Sequence, residues 1–193
     1  MRVGVLSLQG DFALHAELLQ GLGVDVLSVR RPANFDACDA LVLPGGESTV
    51  LHRLLRINSM LEPLVDFARQ KPLMGTCAGC ILMATQLEDA GGVEPLGLVD
   101  MTVRRNGYGR QVDSFLAPLS PLAAGFNPDD TDAQGVFIRA PRITRTGEGV
   151  DVVACHQQEP VAVRSSHHFA LTFHPEVARD PRWHAWWLAT IGA

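Results

Sequence analysis

Apolar residues follow two rhythms in the first half of the chain. Some form short unbroken runs; elsewhere they recur every three or four positions. The runs at 2–8, 24–29, 40–43 and 72–76 read as buried strands, and the helical spacing at 12–19, 51–55, 61–68 and 78–84 predicts helices between them. Gly21 and Gly23 mark the end of the first helix, and Ser48 or Thr49 is placed to cap the second. Ser59-x-x-Glu62 reads as a capping box opening the third. Strand and helix therefore alternate, with loops gathered beyond the strand ends.

Past Gly91-Gly92 the rhythm changes. Segments 98–103, 135–139, 150–154, 161–163 and 169–173 have the length and residue types of strands separated by turns, and 181–191 reads as a terminal helix. Leu116 to Gln134, rich in Pro, Asp, Ala and Gly, reads as the loop most free to move. The expected fold is α/β: three layers, αβα, around a central and mostly parallel sheet, with a strand-rich second half. A chain of 193 residues with 47% hydrophobic residues can bury one substantial core, which predicts a single domain over 1–193.

Charge and cysteine content narrow the function. The formal net charge is -5 and no Lys/Arg run occurs, so nucleic acid is not the expected partner. No apolar run approaches the roughly 18 residues of a membrane span, and the apolar start is broken at once by Gln9-Gly10-Asp11, so it reads as a first strand rather than a signal peptide. Cys38, Cys77, Cys80 and Cys155 are too few for a disulfide framework at this length, which leaves a reducing compartment, the cytoplasm, as the expected location.

The chemistry concentrates at Gly75-Thr76-Cys77-Ala78-Gly79, where a strand is predicted to turn sharply into a helix. Such a corner exposes a nucleophile, and the helix N-terminus favours the thiolate. Side chains at Gly75 or Gly79 would clash with the neighbouring strand or helix. His174-Pro175-Glu176 follows the last predicted strand, where α/β folds place their ligands. There His174 can act as base and acid, with Glu176 orienting its ring. Cys77-x-x-Cys80 also fits a redox pair, and Cys77, Cys80, Cys155 and His156 could in principle hold zinc. The loop pairing favours nucleophilic catalysis with no metal and no cofactor, and leaves Cys80 as core. His167 and His168 read as solvated turn residues, and Trp183, Trp186 and Trp187 as one packed helix face.

Leu43-Pro-Gly-Gly-Glu-Ser-Thr49, the Cys77 elbow and Phe173-His-Pro-Glu176 together resemble the class I (triad) glutamine amidotransferases. The segments Gly4–Gly10, Arg105–Phe115 and Gly135–Pro141 narrow the resemblance to the PdxT/SNO family, the glutaminase subunits of pyridoxal 5'-phosphate synthase; Cys80, where an aliphatic residue is expected, is the one local departure. The resemblance implies hydrolysis of L-glutamine to glutamate and ammonia, with the ammonia passed to a separate barrel-shaped synthase subunit. It implies Cys77, His174 and Glu176 as the triad, and the Gly46 and Ala78 N–H groups as the oxyanion hole. Gly46, Glu47, Ser48, Arg105, Ile138 and Arg139 would hold the substrate. Gln9 and the Gly45-Gly46 peptide would adjust when the synthase docks. A stand-alone γ-glutamyl hydrolase-like enzyme and a non-catalytic binding module remain the alternatives.

Overall fold

The computed structural model describes residues 1–108, 114–123 and 133–192. Its first half runs β1 (Arg2–Leu6), α1 (Phe12–Gly21), β2 (Asp25–Val29), a 3-10 helix (Pro32–Ala37), β3 (Ala40–Leu43), α2 (Ser48–Ile57), α3 (Leu61–Ala68), β4 (Leu73–Thr76), α4 (Ala78–Met83) and β5 (Ala84–Leu87). Then follow β6 (Val99–Arg104), β7 (Phe115–Pro118), β8 (Ser120–Pro121), β9 (Gln134–Phe137), β10 (Arg142–Thr146), β11 (Val150–His156), β12 (Glu159–Ser165), β13 (His168–Leu171) and α5 (Arg182–Thr190).

The main sheet has the order β2-β1-β3-β4-β13-β12-β11-β8. The strands from β2 to β13 are parallel, and β12, β11 and β8 extend the sheet in antiparallel fashion. Its central strands β3, β4 and β13 are buried at every residue, as parallel strands covered on both faces must be. Side-chain alternation decides which helices cover which face. Leu41 and Leu43 share a core with Leu51, Leu55, Leu64 and Ile81 from α2, α3 and α4. Ala40 and Val42 share the opposite core with Leu19 of α1 and Trp183 and Trp187 of α5. These are the three expected layers. A smaller sheet, β10-β6-β5, joins the α2–α4 side through Val99, Met101, Val103 and Ile143.

Several local expectations are corrected. Ser59 does not cap α3, whose N-cap is Met60 with no side-chain hydrogen bond. Ser59 instead ends α2 at φ 54, with its N–H donating to the Arg56 carbonyl (3.1 Å) and the Met60 N–H to that of Leu55 (2.8 Å), the pairing of a Schellman turn. Helix α2 also lacks a side-chain cap, because Ser48 lies inside it after an N-cap at Glu47. The fourth helix stops at Met83, and Ala84–Leu87 turns away to pair with β6. His168 is not solvated: the two-residue turn is Ser166-His167, and His168 enters β13, where its Nδ1 accepts the Leu73 N–H at 3.3 Å. Leu116 and Gln134 fall in the paired strands β7 and β9, while 124–132, the middle of the expected loop, lies outside the described residues, as does 109–113 of the Arg105–Phe115 segment.

Candidate active site

Strands β3, β4 and β13 are hydrogen-bonded neighbours, so the loops that follow them emerge side by side at one edge of the sheet. The Cys77 elbow leaves β4. Its φ of 46° and ψ of -98° lie where non-glycine residues are strained by roughly 1–3 kcal/mol. The surroundings hold that conformation: the Cys77 N–H donates to the Leu171 carbonyl at 2.8 Å, and the Cys77 carbonyl accepts the Ile81 N–H at 3.0 Å. A Cβ on Gly75 would stand 2.7 Å from the Gly79 carbonyl carbon, and one on Gly79 would collide with the Leu43 carbonyl and stand 2.9 Å from its Cβ. The sterically required glycines of the sequence are therefore required here.

His174 leaves β13, fixed by its own N–H donating to the Val136 carbonyl at 2.9 Å. Its Nδ1 donates to Glu176 Oε1 at 2.6 Å with both side chains buried, which leaves Nε2 for the Cys77 thiol. Burial alone would lower the His174 pKa, but bonding to Cys77 and Glu176 outweighs it and pushes the value up to about 10. The imidazolium is thus the favoured form, the partner a thiolate nucleophile needs. Burial alone would raise the Glu176 carboxyl; His15 and His174 instead hold it far below the usual carboxylate range.

In front of Cys77 and His174 lies a pocket of about 240 Å³, suited to a single amino acid. Gly46, Glu47, Ser48, Arg105, Ile138 and Arg139, all singled out in the sequence, line it together with Asp11, Ile81 and Asn106, which were not. Arg105 organises the wall: its guanidinium donates to Ser48 Oγ (3.2 Å), Thr49 Oγ1 (2.9 Å) and the Ala90 carbonyl (2.7 Å). Ser48 and Thr49, which lie inside α2 and not at its N-cap, thus turn their hydroxyls to Arg105. Arg139 carries a strained φ of 44° and lies 3.6 Å from Glu47 Oε2.

On the opposite lip Gly46 has φ 141°, a region that favours glycine, and a Cβ there would press on the Gln9 amide. Gln9 Oε1 accepts the Glu47 N–H at 3.2 Å, so Gln9 grips the loop after β3. Ala78 opens α4, where the first N–H groups have no intrahelical acceptor. Cys80 is fully buried and its thiol is pushed up by burial and by Cys77, in keeping with a core residue. Among the described residues the one grouping of three possible metal ligands is Asp11, His174 and Glu176, within 4.8 Å of one another. Two of these already bond each other, and the zinc set Cys77, Cys80, Cys155 and His156 is not brought together.

Sequence reasoning missed two histidines entirely. His15 of α1 and His184 of α5 are completely buried beneath the triad, their rings 2.9 Å apart through His15 Nδ1 and His184 Nε2. The available signal was the placement of His15 among apolar residues three and four positions away, Phe12 and Leu19, on the inward face of α1.

Comparison with known proteins agrees with this geometry. The model of the SNO glutamine amidotransferase family matches residues 5–192. The protein named "Pyridoxal 5'-phosphate synthase subunit PdxT" from Cutibacterium acnes is 46% identical over 98% of this chain and 96% of its own. The protein of the same name from Desulforudis audaxviator is 42% identical over 97% of each. A crystal structure of a glutamine amidotransferase superposes with a TM-score of 0.90 at 39% identity, covering 99% of each chain. The PurLQS structure from Thermotoga maritima shares the fold at TM-score 0.69 and 17% identity. On the near-complete family match, and with relatives this similar along their whole length, the chain belongs to the SNO glutamine amidotransferase family.

Proposed function

We propose that this chain is the glutamine-hydrolysing subunit of a pyridoxal 5'-phosphate synthase, releasing ammonia from L-glutamine for a synthase partner. The observation that carries the reading is Cys77 on its strained elbow, beside a His174–Glu176 pair bonded at 2.6 Å, in a pocket sized for one amino acid. The names of the full-length relatives supply the partner. The whole chain, 1–193, serves as one glutaminase domain, and its free thiol chemistry suits the cytoplasm. No helix among the described residues is long and apolar enough to cross a membrane.

Cys77 Sγ attacks the side-chain carbonyl carbon of glutamine. The carbonyl oxygen becomes an oxyanion, received by the N–H groups of Ala78 and Gly46; a missing donor of this kind costs about 3–4 kcal/mol of barrier. His174 gives its proton to the leaving nitrogen, ammonia departs, and a γ-glutamyl thioester remains. His174 then takes a proton from water, the hydroxide adds to the thioester, and glutamate leaves as Cys77 is restored. Glu176 keeps the proton on His174 Nδ1, so that Nε2 serves the thiol. Arg105 shapes the substrate wall by fixing Ser48 and Thr49, with Glu47, Ile138 and Arg139 completing it. Gln9 holds the Gly45-Gly46 loop through the Glu47 N–H, which makes it the contact to be rearranged when the synthase docks. Glutamine hydrolysis measured with and without the cognate synthase tests the reading: turnover is expected to rise on addition, and an unchanged rate would reject the ammonia-donor role.

A further inference from the structure

The buried carboxylate of Glu176 has two oxygens, and the triad uses one. Oε1 receives His174; Oε2 lies in the interior with no hydrogen-bond partner at full geometry among the described residues, and the nitrogen facing it, at 3.4 Å, is His15 Nε2. That same nitrogen is 3.2 Å from Thr76 Oγ1, the residue just before the nucleophile. Behind His15 stands His184, whose Nε2 is 2.9 Å from His15 Nδ1 and whose Nδ1 has no partner among the described residues. The rings come from α1 and α5, on the sheet face opposite α2–α4, and both are fully buried.

Proton placement follows from what each atom can do. A bare His15 Nε2 would point a lone pair at a carboxylate oxygen, and the Thr76 hydroxyl could donate to it only while Glu176 Oε2 stayed without a donor. Every protonation state that avoids this puts the proton on Nε2. His184 is neutral, because burial and His15 bring its pKa down to about 3, so it has one N–H. Placed on Nε2, that N–H donates to His15 Nδ1 and leaves a bare acceptor at Nδ1; placed on Nδ1, it would be an orphaned buried donor, the rarer and costlier defect. All bonds then run one way, from His184 to His15 to Glu176, meeting the bond from His174 at the carboxylate. Long catalytic hydrogen bonds in an unliganded site commonly tighten when substrate binds.

We propose that His15 is a positioning residue for the glutaminase reaction, donating its Nε2–H to Glu176 Oε2 and so fixing the carboxylate that orients His174, with His184 setting the His15 tautomer. The inference rests on the triad reading above. It predicts a defect in turnover rather than in substrate binding, since neither histidine lines the pocket.

The test compares His15→Leu, His15→Gln and His15→Asn in the complex with the synthase. Glutamine carries an amide N–H near the former Nε2, asparagine only near the former Nδ1. His15→Leu and His15→Asn are expected to lose about 10- to 100-fold in kcat at unchanged KM, as orienting groups typically do, while His15→Gln recovers most of the rate. Rates within about two-fold of wild type for all three, or rates that follow melting temperature instead of the amide N–H, would overturn the proposal. A measurement on the unmodified chain is independent of variant folding: nitrogen-15 NMR is expected to find the His15 proton on Nε2, and a proton on Nδ1 alone would refute it. Cys77→Ala separates the two readings. An active Cys77→Ala removes the triad itself, whereas an inactive one beside a wild-type His15→Leu removes only the role of His15.

Discussion

Gly45 packs so closely on His174 that a Cβ added to it would collide with Cε1 of the ring and stand 2.8 Å from Nδ1. The backbone after β3 is thus one wall of the slot that holds the base. Gly45→Ala is expected to push the imidazole off its line to Cys77 and to cost about 100-fold in kcat, the penalty of a misplacement near 1 Å. Steady-state glutaminase kinetics check the loss, and an unchanged far-UV circular dichroism spectrum checks that the fold survives.

The two cysteines of the elbow are expected to behave oppositely. Cys77→Ala should abolish glutamine hydrolysis and labelling by a glutamine-analogue electrophile. Cys80→Ala should keep most of the rate, because its thiol is buried in the α4 core and its ionisation is opposed by burial and by Cys77. Equal losses in both variants would point back to a redox pair. His174→Asn should leave a folded chain without turnover.

Arg105 binds three acceptors on two segments at once, Ser48 and Thr49 of α2 and the carbonyl before Gly91. A lysine ammonium lacks the planar fork and cannot span them. Arg105→Lys is therefore expected to raise KM for glutamine by about 10-fold, on the order of 1.4 kcal/mol, with a smaller change in kcat. Substrate titration of the variant decides it.

Acid should weaken the fold before the carboxylates titrate. His184 and His168 have folded-state pKa values lowered from 6.5, to about 3 and about 4, burial being the first cause in both. The unfolded chain takes up protons below pH 6.5 that the folded chain refuses. Stability contributed by keeping these rings neutral is present above pH 6.5 and is lost as pH falls toward 4. Thermal unfolding followed from pH 7 to pH 4.5 should show a falling midpoint, with a shallower slope in His168→Gln; a flat profile would contradict the buried neutral rings.

What the sequence disclosed, and what it hid, follows the range of the interactions. The elbow and the His174–Glu176 pair were legible because each sits within a few residues on a loop whose position a strand pattern announces. The missing caps were illegible: Ser48 turns to Arg105, 57 residues away, and Ser59 serves the helix behind it. His168 looked like turn chemistry because the two-residue length of its hairpin emerges only when β12 and β13 pair. His15 and His184, 169 residues apart, meet only once both helices pack on one face of the sheet. Local pattern carries the loops that do chemistry; the network behind them is a property of the packed molecule.

Because the loops that carry Gly46, Cys77 and His174 leave three adjacent strands at the centre of the main sheet, their spacing is inherited from the roughly 4.8 Å pitch of the backbone ladder. Fraying at the edge strands β2 and β8 leaves that spacing intact, because β3, β4 and β13 each keep a hydrogen-bonded neighbour on both sides.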